Sequence, residues 1–244
     1  MKKSKLLWKL LAIIPYWLLM SLTEIMRPEP SSETLSSILW YSLFGRVSAG
    51  DIKTLTLSME SLGGVFLFVL LFGDYIAAYF TEISVYIFTR VRDRSIWTIK
   101  KISTVVAYSA FFAANTILIK GYTCLLQKEE IQITKELLYA AIVSFVLLFL
   151  LLTQIGLLSN FISTKFGSIV GIFSALVVLI TLSTLSIILF NNRLNQILNP
   201  LCFNIVLIDK LNLVVGKIAI SIMYLLVIIT AYIKFICKLD IYGK

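Results

Sequence analysis

Six apolar stretches, at residues 6–22, 61–80, 102–121, 137–158, 168–190 and 218–236, dominate this chain. Each is close to the roughly twenty residues that carry an α-helix across about 30 Å of hydrocarbon. In lipid a segment must satisfy its own backbone polar groups, so only helices and closed barrels can span. None of the stretches alternates apolar and polar residues as a barrel strand does. The expected fold class is an all-α membrane protein, a single domain over residues 1–244 with six transmembrane helices. Composition agrees, with 59% hydrophobic and 14% charged residues among 244. A soluble domain holds about 45–50% and about 25% respectively.

The first stretch follows Lys2, Lys3 and Lys5 and so has the start of a secretory signal. It exits into Thr23-Glu24-Ile25-Met26-Arg27 with no small-residue cleavage site, which predicts an uncleaved span. Lys9 and Pro15 interrupt it and predict a kink or an interfacial start.

Charge gives the expected orientation. The amino-terminal lysines, the basic residues of 82–101, Lys165, Lys238 and Lys244 all fall on one side of a six-span chain. Only Glu82, Asp93 and Asp240 oppose them there. The other side carries mixed charge, as in Lys128-Glu129-Glu130 and in the acid-rich connection 23–60. Positive charge stays inside, so both termini are expected to be cytoplasmic. The same bias accounts for the formal net charge of +9 without nucleic acid. Within 23–60 the apolar piece 35–44 is too short to cross and is expected to be interfacial or re-entrant. In the connection 191–216, Pro200 and its neighbouring asparagines suggest either a helix dipping into the outer leaflet or a loop folded over the bundle.

No enzyme motif is found in the chain. The chain has no histidine, which excludes Ser-His-Asp catalysis and imidazole ligation of a metal. Cys124, Cys202 and Cys237 have no metal-ligand spacing, so no metal site and no catalytic residue is expected. Cys124 and Cys202 share a side, where a bridge and free thiols are both open. No G-x-x-x-x-G-K-[ST] loop is present, so the chain has no phosphate-binding loop of its own.

The segment 82–101, EISVYIFTRVRDRSIWTIKK, stands out between the second and third stretches. Glu82, Tyr86, Arg90 and Arg94 recur every four residues and would share one face of a helix. Phe88, Val91, Ser95 and Ile99 fall on another, largely apolar face. The pattern predicts an amphipathic helix at the membrane surface. A merely topogenic loop would also be basic, but it would not require the ordered face or the aromatics Tyr86, Phe88 and Trp97. A docking surface for a partner protein is the favoured reading.

Three further features are candidates. Asp74 lies inside an apolar run, where a carboxylate is costly, and either an interfacial, structural role or a transport role is open. Gly167, Gly171 and Ala175 recur every four residues and would let a neighbouring helix approach closely. Asn115, Thr153 and Gln154 are expected to hydrogen-bond between helices.

The phrase YIFTRVRDRSIW, preceded by LFGDYIAAY, resembles a group of small six-span permease subunits of type-2 ABC transporters from Gram-positive bacteria. The resemblance implies a permease-like bundle in the bacterial cell membrane, often near peptide-antibiotic systems. It implies that 82–101, with Glu82, Tyr86, Arg90, Arg92, Asp93 and Arg94, is a coupling helix seated in a separate ATPase subunit. ATP and magnesium would then be bound by that partner and no cofactor by this chain. Pairing with a second permease, identical or related, and export of a peptide or other amphipathic molecule follow from the same resemblance. The competing expectation is a membrane immunity or assembly protein that binds a toxin or partner directly, with no need for an ATPase.

Overall fold

The structure is a computed structural model that describes residues 15–16, 39–40, 43, 52–82, 94–126, 134–189, 192–202 and 211–238. Its elements are α1 (Ile52–Phe72), α2 (Ala77–Glu82), α3 (Arg94–Leu126), α4 (Lys135–Phe166), α5 (Ser168–Ile188), α6 (Arg193–Leu198) and α7 (Leu211–Lys238). No strand occurs among the described residues. Five segments are long and apolar enough to cross a membrane: Leu62–Tyr79, Arg94–Thr123, Lys135–Phe166, Ser168–Ile188 and Asn212–Lys238. The chain is thus a multi-pass helical membrane protein. The expected first span, 6–22, lies outside the described residues except for Pro15 and Tyr16, which are helical.

Helix α4 is central. Most of its length is buried, whereas α7 turns most of its surface outward. Its start is set by Thr134, whose side chain accepts from the Leu137 amide at 3.2 Å, with Glu136 in the first turn. Its end is set by Gly167, whose φ of 100° is open to glycine and strained for other residues. That one residue reverses the chain, and α5 begins at Ser168 and packs back along α4. Gly171 makes the close approach possible, because a Cβ there would lie 2.5 Å from the Ser163 backbone nitrogen. Gly171 and Ala175 therefore pack as the four-residue spacing predicts, and Ala175 is fully buried. Gly167 acts otherwise: it is the exposed turn, with nothing near its Cβ position.

Two apolar cores stack along the bundle. One gathers Leu39, Trp40, Phe68, Phe72, Phe112, Leu147 and Leu179 with their neighbours. The other holds Tyr75, Ile76, Ile102, Val105, Leu157, Tyr232 and Ile236. Leu39, Trp40 and Leu43 are helical and buried, so these residues of the short apolar piece 35–44 join the core. Ile169, Phe173, Val177 and Ile180 on α5, and Val215, Leu226 and Val227 on α7, face outward, as lipid-facing side chains do.

The boundaries differ from the sequence expectation in three places. The second apolar stretch is broken at residues 73–76. Helix α3 begins at Arg94, so the end of the 82–101 segment forms the first turns of a long helix. Residues 159–166, expected as a loop, are the last turns of α4, with Ser159, Asn160 and Ser163 buried.

Candidate functional site

Residues 83–93 lie outside the described residues, and with them Tyr86, Arg90, Arg92 and Asp93. The structure does define what holds the two ends of that segment. Glu82 closes α2 and Arg94 opens α3, where Arg94 is half-buried. Between these ends lies an aromatic clamp. Tyr79 of α2 and Trp97 of α3 meet edge-on with ring centroids 6.4 Å apart. The Lys101 ammonium stands 3.5 Å from the Tyr79 ring centroid, with Trp97 and Tyr75 at 5.7 and 5.9 Å. A cation against several ring faces is worth about 0.5–2 kcal/mol per pair, more where water is excluded. Tyr75 extends the cluster edge-on to Tyr108 of α3 at 5.6 Å, and Tyr108 stacks on Phe72 at 4.8 Å. Helix α7 joins the same end, where Ser95 Oγ meets Cys237 Sγ at 3.2 Å.

Beneath the clamp lies the break at 73–76. Gly73 donates to the Val69 carbonyl at 2.7 Å, and Tyr75 donates to Phe72 at 3.2 Å, one residue short of helical spacing. The helix resumes when Ala78 donates to Asp74 at 2.9 Å. An interruption inside lipid leaves backbone groups that must find partners. Asn160 of α4 supplies them. Its Oδ1 accepts from the Ile76 amide at 2.6 Å, and its Nδ2 donates to the Phe72 carbonyl at 2.8 Å. The same Nδ2 reaches its own helix at Gly156, 2.7 Å away. Ser163 Oγ donates to the Gly73 carbonyl at 3.3 Å. Only glycine fits at 73, since a Cβ would sit 2.4 Å from the Val69 carbonyl and 2.5 Å from Ser159 Oγ. Asp74 lies half-buried in this break, not within a continuous helix.

The network continues into α7. Thr164 Oγ1 donates to the Asn160 carbonyl at 2.7 Å and meets the Tyr232 hydroxyl at 2.9 Å. Sequence reasoning missed Asn160, Thr164 and Tyr232, and it counted Lys101 among the basic residues of 82–101 without its place over the rings. A signal for the first was present in Gly73-Asp74, a weak helical pair inside an apolar run that needs a polar neighbour. Of the intramembrane polar residues expected to bridge helices, Gln154 does, donating to the Ser221 carbonyl of α7 at 2.7 Å. Asn115 and Thr153 instead bond back to Phe111 and Phe149 on their own helices.

A second polar site lies at the opposite end of the bundle. There the segment Asn192–Cys202 folds as a strap over α5 and α7. Asn195 Nδ2 donates to the Leu189 carbonyl at 3.2 Å, and Asn199 Nδ2 donates to Leu182 at 2.8 Å. Lys217 of α7, fully buried, donates to the carbonyls of Asn199 (3.1 Å), Gln196 (3.4 Å) and Cys202. Cys202 is a free, buried thiol; burial pushes its pKa up, against the opposing pull of Lys217. A raised thiol stays protonated and inert, which makes Cys202 a packing residue. No group of three or more metal-ligating side chains occurs among the described residues.

Fold and sites together define a helical membrane protein with a clamped end and a strapped opposite end. No protein-family model, no curated protein and no solved structure matches the chain.

Proposed function

We propose that this chain is the membrane-spanning subunit of an ATP-driven transporter, a type-2 ABC permease with six spans and cytoplasmic termini in a bacterial cell membrane. It pairs with itself or a related permease and recruits ATPase subunits that bind ATP and magnesium. The cargo is a peptide or other amphipathic molecule. The observation that carries this reading is the clamp of Tyr79, Trp97 and Lys101, which ties together the two helices flanking the basic segment 83–93. A loop that served orientation alone would need positive charge but no rigid mounting. A segment that receives force from a partner needs both, because a push is transmitted only through packed elements. On this reading Arg90, Arg92, Asp93 and Arg94 contact the ATPase, and closure of the ATPase dimer moves α2 and α3 together.

Charge reversal tests the reading. The double substitution Arg90→Glu, Arg94→Glu breaks interface charge pairs that cost roughly 2–5 kcal/mol each. The expected result is a drop of about thirty-fold or more in affinity for the ATPase. Orientation should hold, because Arg92, Lys100, Lys101 and the amino-terminal lysines remain. Recovery of a protein bearing a phosphate-binding loop is measured from membranes holding equal amounts of parent and variant. Equal recovery would contradict the coupling role and favour direct binding of a toxin or partner.

A further inference from the structure

The break at 73–76 divides the span Leu62–Tyr79 into two pieces that belong to different cores. Phe68 and Phe72 before it pack in one core, whereas Tyr75 and Ile76 within it are part of the other, against which Tyr79 after it packs. A rigid helix would turn both pieces as one body. An interrupted helix lets them move separately, and what holds their relative direction is whatever bridges the gap. Asn160 is that bridge, because it binds Phe72 on one side and Ile76 on the other. No monofunctional side chain could do this, since one flank offers a carbonyl and the other an amide.

We infer that Asn160 is the positioning residue of this end of the molecule: its side chain clasps the interrupted helix and fixes the direction of α2 relative to α1. Ser163 reinforces the clasp from the next turn of α4 through the Gly73 carbonyl. Thr164 and Tyr232 extend it to α7. A displacement of α2 therefore reaches the centre of the bundle through one amide group, and α7 through the hydroxyl pair beside it. The clasp itself stands on the geometry alone, and its consequence for coupling rests on the proposed function.

Amide hydrogen exchange in detergent micelles separates the two. Asn160→Leu fills the same space without either hydrogen bond, so exchange over residues 73–82 should rise about tenfold or more, because the Ile76 amide loses its acceptor. Asn160→Asp keeps an oxygen facing that amide and should exchange more slowly than Asn160→Leu. It also serves as the reporter should the leucine variant fail to accumulate. Gln154→Leu removes another buried amide of α4, bonded elsewhere, and should leave 73–82 at the parent rate. Parent-like exchange in the Asn160 variants, or an equal rise in Gln154→Leu, would overturn the clasp. Raised exchange with undiminished recovery of the ATPase by the Asn160 variants would leave the clasp standing and count against the coupling reading.

Discussion

The two ends of the bundle solve the same problem with opposite chemistry. At the clamp end, the chain is interrupted within a span, and a neutral amide from α4 closes the gap. At the strap end, the chain leaves α5 and runs through α6, and a cation from α7 gathers the carbonyls of Gln196, Asn199 and Cys202. A break within a helix exposes both an amide and a carbonyl, so only a side chain with a donor and an acceptor serves it. The C-terminal end of a helix exposes carbonyls alone, where the helix dipole is negative and an ammonium is the better partner. The residue type at each place follows from which backbone groups the fold leaves open.

That contrast can be broken by substitution, with thermal unfolding in detergent as the readout. Asn160→Leu should be the most damaging, at about 3 kcal/mol or more, because it strands a buried amide as well as a carbonyl. Lys217→Met should cost less, about 1–2 kcal/mol. It leaves carbonyls short of a donor but also relieves the burial of a charge. Gln154→Leu should cost least, about 0.6 kcal/mol, as expected for one bond between helices in lipid. The Ser221 carbonyl it serves lies inside the continuous helix α7. A ranking with Lys217→Met worse than Asn160→Leu would show that charge, not the open backbone, decides the energetics.

The sequence made the helices legible because hydrophobic length is a local property. The spans at 137–158 and 168–190 and the close packing of Gly171 could all be read from spacing. Residues 159–166 were not legible as helix. Ser159, Asn160, Ser163 and Thr164 look like a polar loop until the broken span beside them is known. The polarity of Asn160 and Ser163 answers open backbone groups of Phe72, Gly73 and Ile76, more than eighty positions away in the chain. No periodicity within α4 records such a partner. The same holds for Lys217, whose burial makes sense only against the strap. Asp74 showed the reverse error, since a charge in an apolar run marked an interruption that a continuous span did not anticipate. Gly167 fits a packing pattern by spacing, yet its positive φ makes it the turn between α4 and α5.

Under the proposed function, the clamped end presents the 82–101 segment to an ATPase. Site-specific photocrosslinking in intact membranes tests it directly, with one probe replacing Arg92 and another replacing Thr134, which is exposed at the opposite end of the bundle. The account predicts that the Arg92 probe captures a protein bearing a phosphate-binding loop and that the Thr134 probe does not. Capture of lipid alone from Arg92, or equal capture of that protein from both probes, would contradict it.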